Sequence, residues 1–323
     1  MNMKKILSAL LLLAGNAGLL STQAISATLP EKVLLYRFEE TKPFTVDDSV
    51  AYMKQFMADD ATDRLVPSID NIVRYVSPKD PNTTFEHNLL TGDLRFHRNF
   101  ARYLGDYKPA LPTTEEAVNA AVVFLEENKL LPAVKTELKI AHIGGLRATS
   151  FISGKRSGPV IDKLITLNYA REIDGLPVIG PGSKMVIDIG EKAEIISLTR
   201  HWRELSPKST ELSPSELFTL TDANRLLKKL ILTEFGDKAK FETLQTHMAY
   251  FDNNGPTLQP VFAFQTKVFL PDQQAASFDY MGIVPAMRKS PEALNLTKTN
   301  PLALRAIQNA DTTLPGGSTK RPD

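Results

Sequence analysis

Asn168-Tyr169-Ala170-Arg171-Glu172-Ile173-Asp174-Gly175-Leu176-Pro177-Val178-Ile179-Gly180 is the stretch whose reading decides the fold. Two apolar runs flank an Asp-Gly pair, and Asp and Gly are the residues that accept the positive φ angles of a two-residue hairpin turn. Downstream, Met185, Ile187 and Ile189 alternate, as do Ile196 and Leu198, with Trp202 further on; a period of two marks strands with one buried face. Upstream, Leu138–Ile143, Leu146–Ile152 and Ile161–Ile173 read as strands, and Gly154–Pro159 as an exposed basic loop. Ahead of them, Lys108-Pro109-Ala110-Leu111-Pro112 forms a short stiff linker. Thr113 with Glu116 then makes a capping box that opens a helix, with Val118, Val122 and Leu125 on its apolar stripe and Pro132 beyond its end.

The same order, helix then strands, recurs on both sides. Before the linker, Val33–Phe38 reads as an opening strand. Thr45 caps a helix with Asp47 and Asp48 in its first turn and Val50, Met53 and Met57 on one face. Asn71–Val76 is a strand, and turns at Asp80–Asn82 and Thr91–Asp93 precede Leu94, Phe96 and Phe100. After it, Ser213-Pro214-Ser215-Glu216 is a second capping box, with a further helical start at Thr221. Leu226, Leu227, Leu230 and Ile231 give the apolar face, and Gly236 ends the helix. Strands at Leu244–Phe251, Val261–Phe269 and Phe278–Val284 follow, the first two joined by a turn at Asn253–Pro256. The expected fold is α+β: tandem units, each an antiparallel sheet packed against one helix. Their expected bounds are 28–107, 108–206 and 207–290, with a tail at 291–323 that holds one short helix around Leu302, Leu304 and Ile307 and ends without periodicity.

Residues 1–27 carry Lys4 and Lys5, an apolar run Ile6–Leu13, and small polar residues ending at Ala27, the order of a secretory signal peptide. Gly15, Asn16 and Gly18 break the run short of the roughly 20 apolar residues of a membrane span, so stable membrane insertion is not expected. Removing that leader brings the formal charge from +1 to about −1, which argues against a nucleic-acid partner because phosphate binding needs a basic field. The absence of cysteine excludes thiol catalysis, thiolate metal sites and disulfides. It also leaves the fold to stand on its core. An exported, cysteine-free chain fits a periplasmic or extracellular place.

No motif for chemistry is complete. His87, His97, His142, His201 and His247 have no helical metal spacing between them. Gly182-Ser183-Lys184 does not fit the Gly-x-Ser-x-Gly of a nucleophile elbow, which fails at Met185, and Ser183 reads as a turn residue. Ser153-Gly154-Lys155-Arg156-Ser157 lacks the upstream glycine of a phosphate loop, where Thr149 stands. Asp252-Asn253-Asn254-Gly255 opens like a calcium loop but continues with Pro256 and has no twelfth glutamate. The paired acids Asp47-Asp48, Glu115-Glu116 and Glu126-Glu127 belong to helix ends. Catalytic, cofactor and metal residues are therefore expected to be none. His201-Trp202-Arg203, with Arg200, admits two readings: an exposed tryptophan between arginines, the composition of a binding hot spot, or a tryptophan packed over its own helix with the arginines in water.

The hairpin Asn168–Gly180 and the strands to Trp202 resemble PepSY and fungalysin-thermolysin propeptide-type domains. Leu258-Gln259-Pro260-Val261-Phe262-Ala263-Phe264, closed by Val284-Pro285-Ala286, is similar to a second strand of that group. The resemblance implies a small sheet wrapped on a helix, no catalytic residues, and a role as an inhibitory or chaperone-like prosegment or as an extracytoplasmic sensor. No peptidase domain follows within this sequence, so a peptidase or envelope protein met as a separate chain is the expected partner. The expected contacts are Asp174, Gly175 and Pro177 at the hairpin and Arg200, Trp202 and Arg203 further on. A structural or solute-binding envelope protein is the alternative, and a hydrolase of unrecognised type the third reading.

Overall fold

A computed structural model describes residues 30–294, apart from 41, 58–65, 68–69, 99, 150, 153–154, 157 and 271–276. The signal-peptide reading, the short helix of the tail, and positions 154 and 157 of the basic loop lie outside the described residues; Lys155 and Arg156, expected in that loop, form a two-residue strand instead. What is described is α+β. β1 (Leu34–Arg37) and α1 (Val46–Met57) lead into β2 (Val66–Pro67), β3 (Ile72–Val76), β4 (Thr84–Asn88) and β5 (Leu94–His97). After the linker come α2 (Thr114–Glu127) and β6 (Leu138–Gly144), then four two-residue strands, β7 (Arg147–Ala148), β8 (Phe151–Ile152), β9 (Lys155–Arg156) and β10 (Ile161–Asp162). β11 (Ile165–Ile173), β12 (Leu176–Ile179), β13 (Lys184–Ile189) and β14 (Ile195–His201) follow. β15 (Thr210–Glu211), α3 (Leu220–Phe235), β16 (Lys240–Phe251), β17 (Thr257–Phe269) and β18 (Ser277–Pro285) complete the order.

All but β7–β10 belong to one long sheet in the order β15-β1-β17-β16-β12-β11-β13-β14-β5-β4-β3-β2, with β6 added to β11 and β18 to β17. Its first half joins the stretches expected as separate units at 28–107 and 108–206. β14 pairs with β5, Leu198 opposite Phe96, and α1 and α2 cover one common face. Met53 and Phe56 from α1, with Ala117, Ala121 and Leu125 from α2, share a core with Phe85, Phe96, Leu167, Met185, Ile187 and Trp202. The second half lays Ala223, Leu227 and Ile231 of α3 on Met248, Phe262, Phe264 and Val284. β1, early in sequence, belongs there: it pairs with β17, Tyr36 opposite Leu258, and with β15.

Several inward faces differ from the apolar stripes read in sequence. Among the described side chains of α1 the buried ones are Ser49, Met53 and Phe56, while Val50 is half-buried; Ser49 turns in to meet His87 Nδ1 at 2.8 Å, and the Met57 side chain lies outside the description. In α2 they are Ala117, Ala121 and Leu125. Two alanines let the helix approach the sheet closely, which leaves Val122 on the rim and 37% exposed. The capping box at Ser213 and Glu216 forms, but closes only a 3-10 turn; α3 starts later, on a second box between Thr219 and Asp222. β4 has no counterpart among the expected strands.

The halves are joined by the quoted hairpin. Asp174 and Gly175 both take positive φ, 53° and 76°, and Glu172 and Ile173 pair with Pro177 and Leu176. β12 then leaves β11. Val178 and Ile179 run parallel to Tyr250 and Phe251 of β16, and the chain returns to β11 as β13, Lys184 opposite Ala170.

Candidate functional site

The departure of β12 from β11 needs a tight kink, and Gly180-Pro181-Gly182-Ser183 supplies it. Gly180 has φ 113°, and a side chain there would meet the backbone oxygen of Asp252 at 2.3 Å; one on Gly182 would meet the Asp252 carboxylate at 2.2 Å. The space is filled instead by a buried polar network. Ser183 Oγ donates to Asp252 Oδ2 at 2.7 Å, and Arg203 Nη2 donates to Asp252 Oδ1 at 3.0 Å. Arg171 Nη1 donates to Ser183 Oγ at 3.2 Å and Nη2 to the Arg203 carbonyl at 2.8 Å. Its Nε lies 3.0 Å from Glu137 Oε2. Arg171 stacks over the Trp202 ring at 4.0 Å and Arg203 over the Phe38 ring at 3.8 Å. Burial pushes the Glu137 carboxyl above its ordinary value and the Arg171 guanidinium below its own, each pulled back by the other's charge. The network is largely buried, with only the edges of Glu137 and Arg203 reaching solvent, and its chemistry is that of a rivet between the halves.

That geometry corrects half of the expected contact set. Trp202 is 3% exposed and stands in the first core, so it is no surface hot spot. Arg203 turns inward to Asp252 and the Gly255 carbonyl, and Arg200 to the carbonyls of Leu130 and Trp202. Both arginines turn to protein acceptors: Arg200 lies on the face of β14 that also holds buried Leu198, and Arg203, past the strand end, reaches across to Asp252 and Gly255. Asp174, Gly175 and Pro177 are exposed at the hairpin tip. There the Tyr36 hydroxyl donates to the Asp174 carboxylate, and burial together with that bond raises the Tyr36 hydroxyl above its ordinary value. Reasoning from sequence missed Glu137 and the junction role of Arg171, Ser183 and Asp252. The paired glycines flanking Pro181 were the available signal of an unusual backbone.

The other distinctive surface is β6. Its seven residues pair only with β11 among the described residues, so its outer row of peptide groups faces outward. Leu138, Ile140 and Ile143 lie opposite Arg171, Tyr169 and Leu167, which face the core; Lys139 and His142 lie opposite Ala170 and Asn168 on the other face. A register shift between Asn168 and Tyr169 makes room for Ala141. At its end, beside the linker, is an open groove of about 630 Å³ lined by Leu111, Pro112, His142, Ile143, Arg147 and Ile165, among others. An unpaired strand edge next to a groove can add one more strand, the backbone giving affinity and the groove selecting a side chain.

Among the described residues, no group of three or more histidine and acidic side chains is placed to hold a metal ion. No described helix is long and apolar enough to cross a membrane. No protein-family model matches the chain, and no curated protein matches it. A crystal structure of an uncharacterized protein from Eubacterium rectale is similar over 82% of this chain and 85% of that chain, at 14% sequence identity and a TM-score of 0.40.

Proposed function

We propose that this chain is a non-catalytic binding protein that captures an extended segment of a partner protein along β6. The observation that carries the reading is the unpaired outer edge of β6 beside the Leu111–Ile143 groove. The helix-side face of β6 is apolar and its other face polar, so an added strand can bury one row of side chains and keep the other in water. Lys139 and the irregularity at Ala141 are devices that discourage indiscriminate edge pairing. They fit a site that selects its occupant. The N-terminal composition and the PepSY-like hairpin favour an exported modulator of a secreted peptidase, or an envelope regulator, as the finer form of this role.

The test is capture by residues 28–323 of the wild-type chain and of Ile143→Lys, from an extracytoplasmic extract. A lysine there sets a charge in the groove and beside the incoming strand. The expected result is a peptidase or envelope protein retained by the wild type in near-equal amount and lost from a variant that still folds. A partner held equally by both chains overturns the reading.

A further inference from the structure

We infer that the segment captured on β6 is an extended strand that alternates apolar and acidic residues, its apolar side chains turned toward α2 and its acids toward the opposite face. The inference rests on the edge-capture reading above and gives it a ligand class. It follows from the two faces of β6. In an antiparallel or parallel ladder, an added strand places its side chains beside those of the edge strand on each face in turn.

On the helix side the neighbours are Leu138, Ile140 and Ile143, with Ile143 39% exposed although it faces the same way as buried Leu167. The groove beyond it adds Leu111 and Pro112. A polar side chain set against Leu138 and Ile140 would lose water without gaining a partner, whereas the groove also presents His142, Arg147 and Asp162. On the other side the neighbours are Lys139 and His142, both exposed. β6 contains one lysine and no acid.

Three acids stand nearby, and each already has a cation, Glu137 being held by Arg171. Asp162 is 2.7 Å from Arg147, while Glu172 is 3.9 Å from Lys139 with both side chains largely in water. A pair that long and that exposed holds Lys139 weakly, so the lysine is available to a closer carboxylate on the incoming strand. The His142 ring offers an N–H donor beside it. A basic strand in the same place would set like charge against Lys139, which costs as much as the matched charge contributes.

The experiment measures binding of short fluorescent peptides to residues 28–323. They are long enough to pair the seven residues of β6 and comprise alternating valine and glutamate, alternating valine and lysine, alternating valine and serine, and the valine–glutamate composition reordered to a helical period. The expected order is glutamate first, lysine last, with roughly a fivefold to tenfold spread at low salt that narrows as salt is added. The reordered peptide is expected to bind weakest of the acidic pair. Lys139→Glu is expected to reverse the glutamate–lysine order, and Ile143→Lys to weaken every peptide. Equal binding of the three alternating peptides, or an order untouched by Lys139→Glu, overturns this inference and leaves edge capture standing. Binding of no peptide to a folded chain, or binding unchanged in Ile143→Lys, overturns edge capture itself.

Discussion

Asp252 is 1% exposed and holds three groups at once: the Ser183 hydroxyl, the Arg203 guanidinium and the Asn254 N–H at 2.9 Å. Removing it leaves Arg203 turned inward without its acid and breaks the link to Ser183 and Arg171. Truncating one partner of a buried ion pair costs about 3–5 kcal/mol. Asp252→Ala is therefore expected to lower stability by about that amount in urea unfolding, and a loss under about 1 kcal/mol would show the network to be dispensable. None of this was legible at single positions. The sequence marks Asp252-Asn253-Asn254-Gly255 as a turn, and it is one, but two of the carboxylate's partners come from distant segments, Ser183 just before β13 and Arg203 just after β14. Alternation likewise places Arg200 and Trp202 on one face of β14 without saying whether that face is open. Asp174-Gly175 was legible because the constraint on its φ angles is local.

The elements themselves were mostly readable, since caps and periodicity act within a few residues. Both sides of the box at Thr113 and Glu116 form, with the Glu116 N–H to Thr113 Oγ1 at 3.2 Å and the Thr113 N–H to Glu116 Oε2 at 2.8 Å. The bonds that the Thr113 N–H and hydroxyl donate to it hold the Glu116 carboxyl below its ordinary value. Thr113→Ala is expected to cost about 1 kcal/mol, read as a shift in the urea midpoint with an unchanged slope; no shift would mean that packing of Ala117 and Ala121 alone fixes the helix start. What periodicity could not rank was size. Valine outranks alanine on any apolar scale, so the stripe through Val118 and Val122 looked like the buried one. Close packing favours the alanine side, because a smaller residue lets backbone and sheet approach.

At the scale of the molecule, β5 against β14 and β1 against β17 merge what read as tandem units into two halves of one sheet. Pairing between distant strands has no local signature, so the pattern of helix then strands was visible and its closure was not. Both halves carry histidines held below the ordinary value near 6.5: His87 and His97 in the first, His247 in the second, each chiefly by burial. For His87, nearby Asp48 and Asp93 pull the other way and Arg200 reinforces burial; for His97, Arg95 reinforces it against Asp188 and Glu86. Because the folded value is the lower one, the unfolded chain takes up protons first, and stability present above about pH 6.5 is lost as pH falls. The lowered carboxylates, such as Asp48 and Asp93, act in the same sense further down, and Glu137 acts in the opposite sense there. The melting temperature is thus expected to drop between about pH 7.5 and pH 5.5, before the carboxylates titrate. A constant or rising value would show that the histidines gain compensating partners on protonation.

The pairing of β1 with β17 also sets a timetable. The Leu34 N–H and the Tyr250 hydroxyl meet at 3.4 Å across 216 positions of sequence, and the strand partner of Tyr36 is Leu258. A ribosome releases β1 among the first described elements and its partner among the last. Until β17 has emerged, the only described strand β1 can pair with is the two-residue β15, and the second half of the sheet has no completed edge. Contacts of such range form slowly, so the growing chain can finish its first half early but must hold β1 in reserve until β17 has been made.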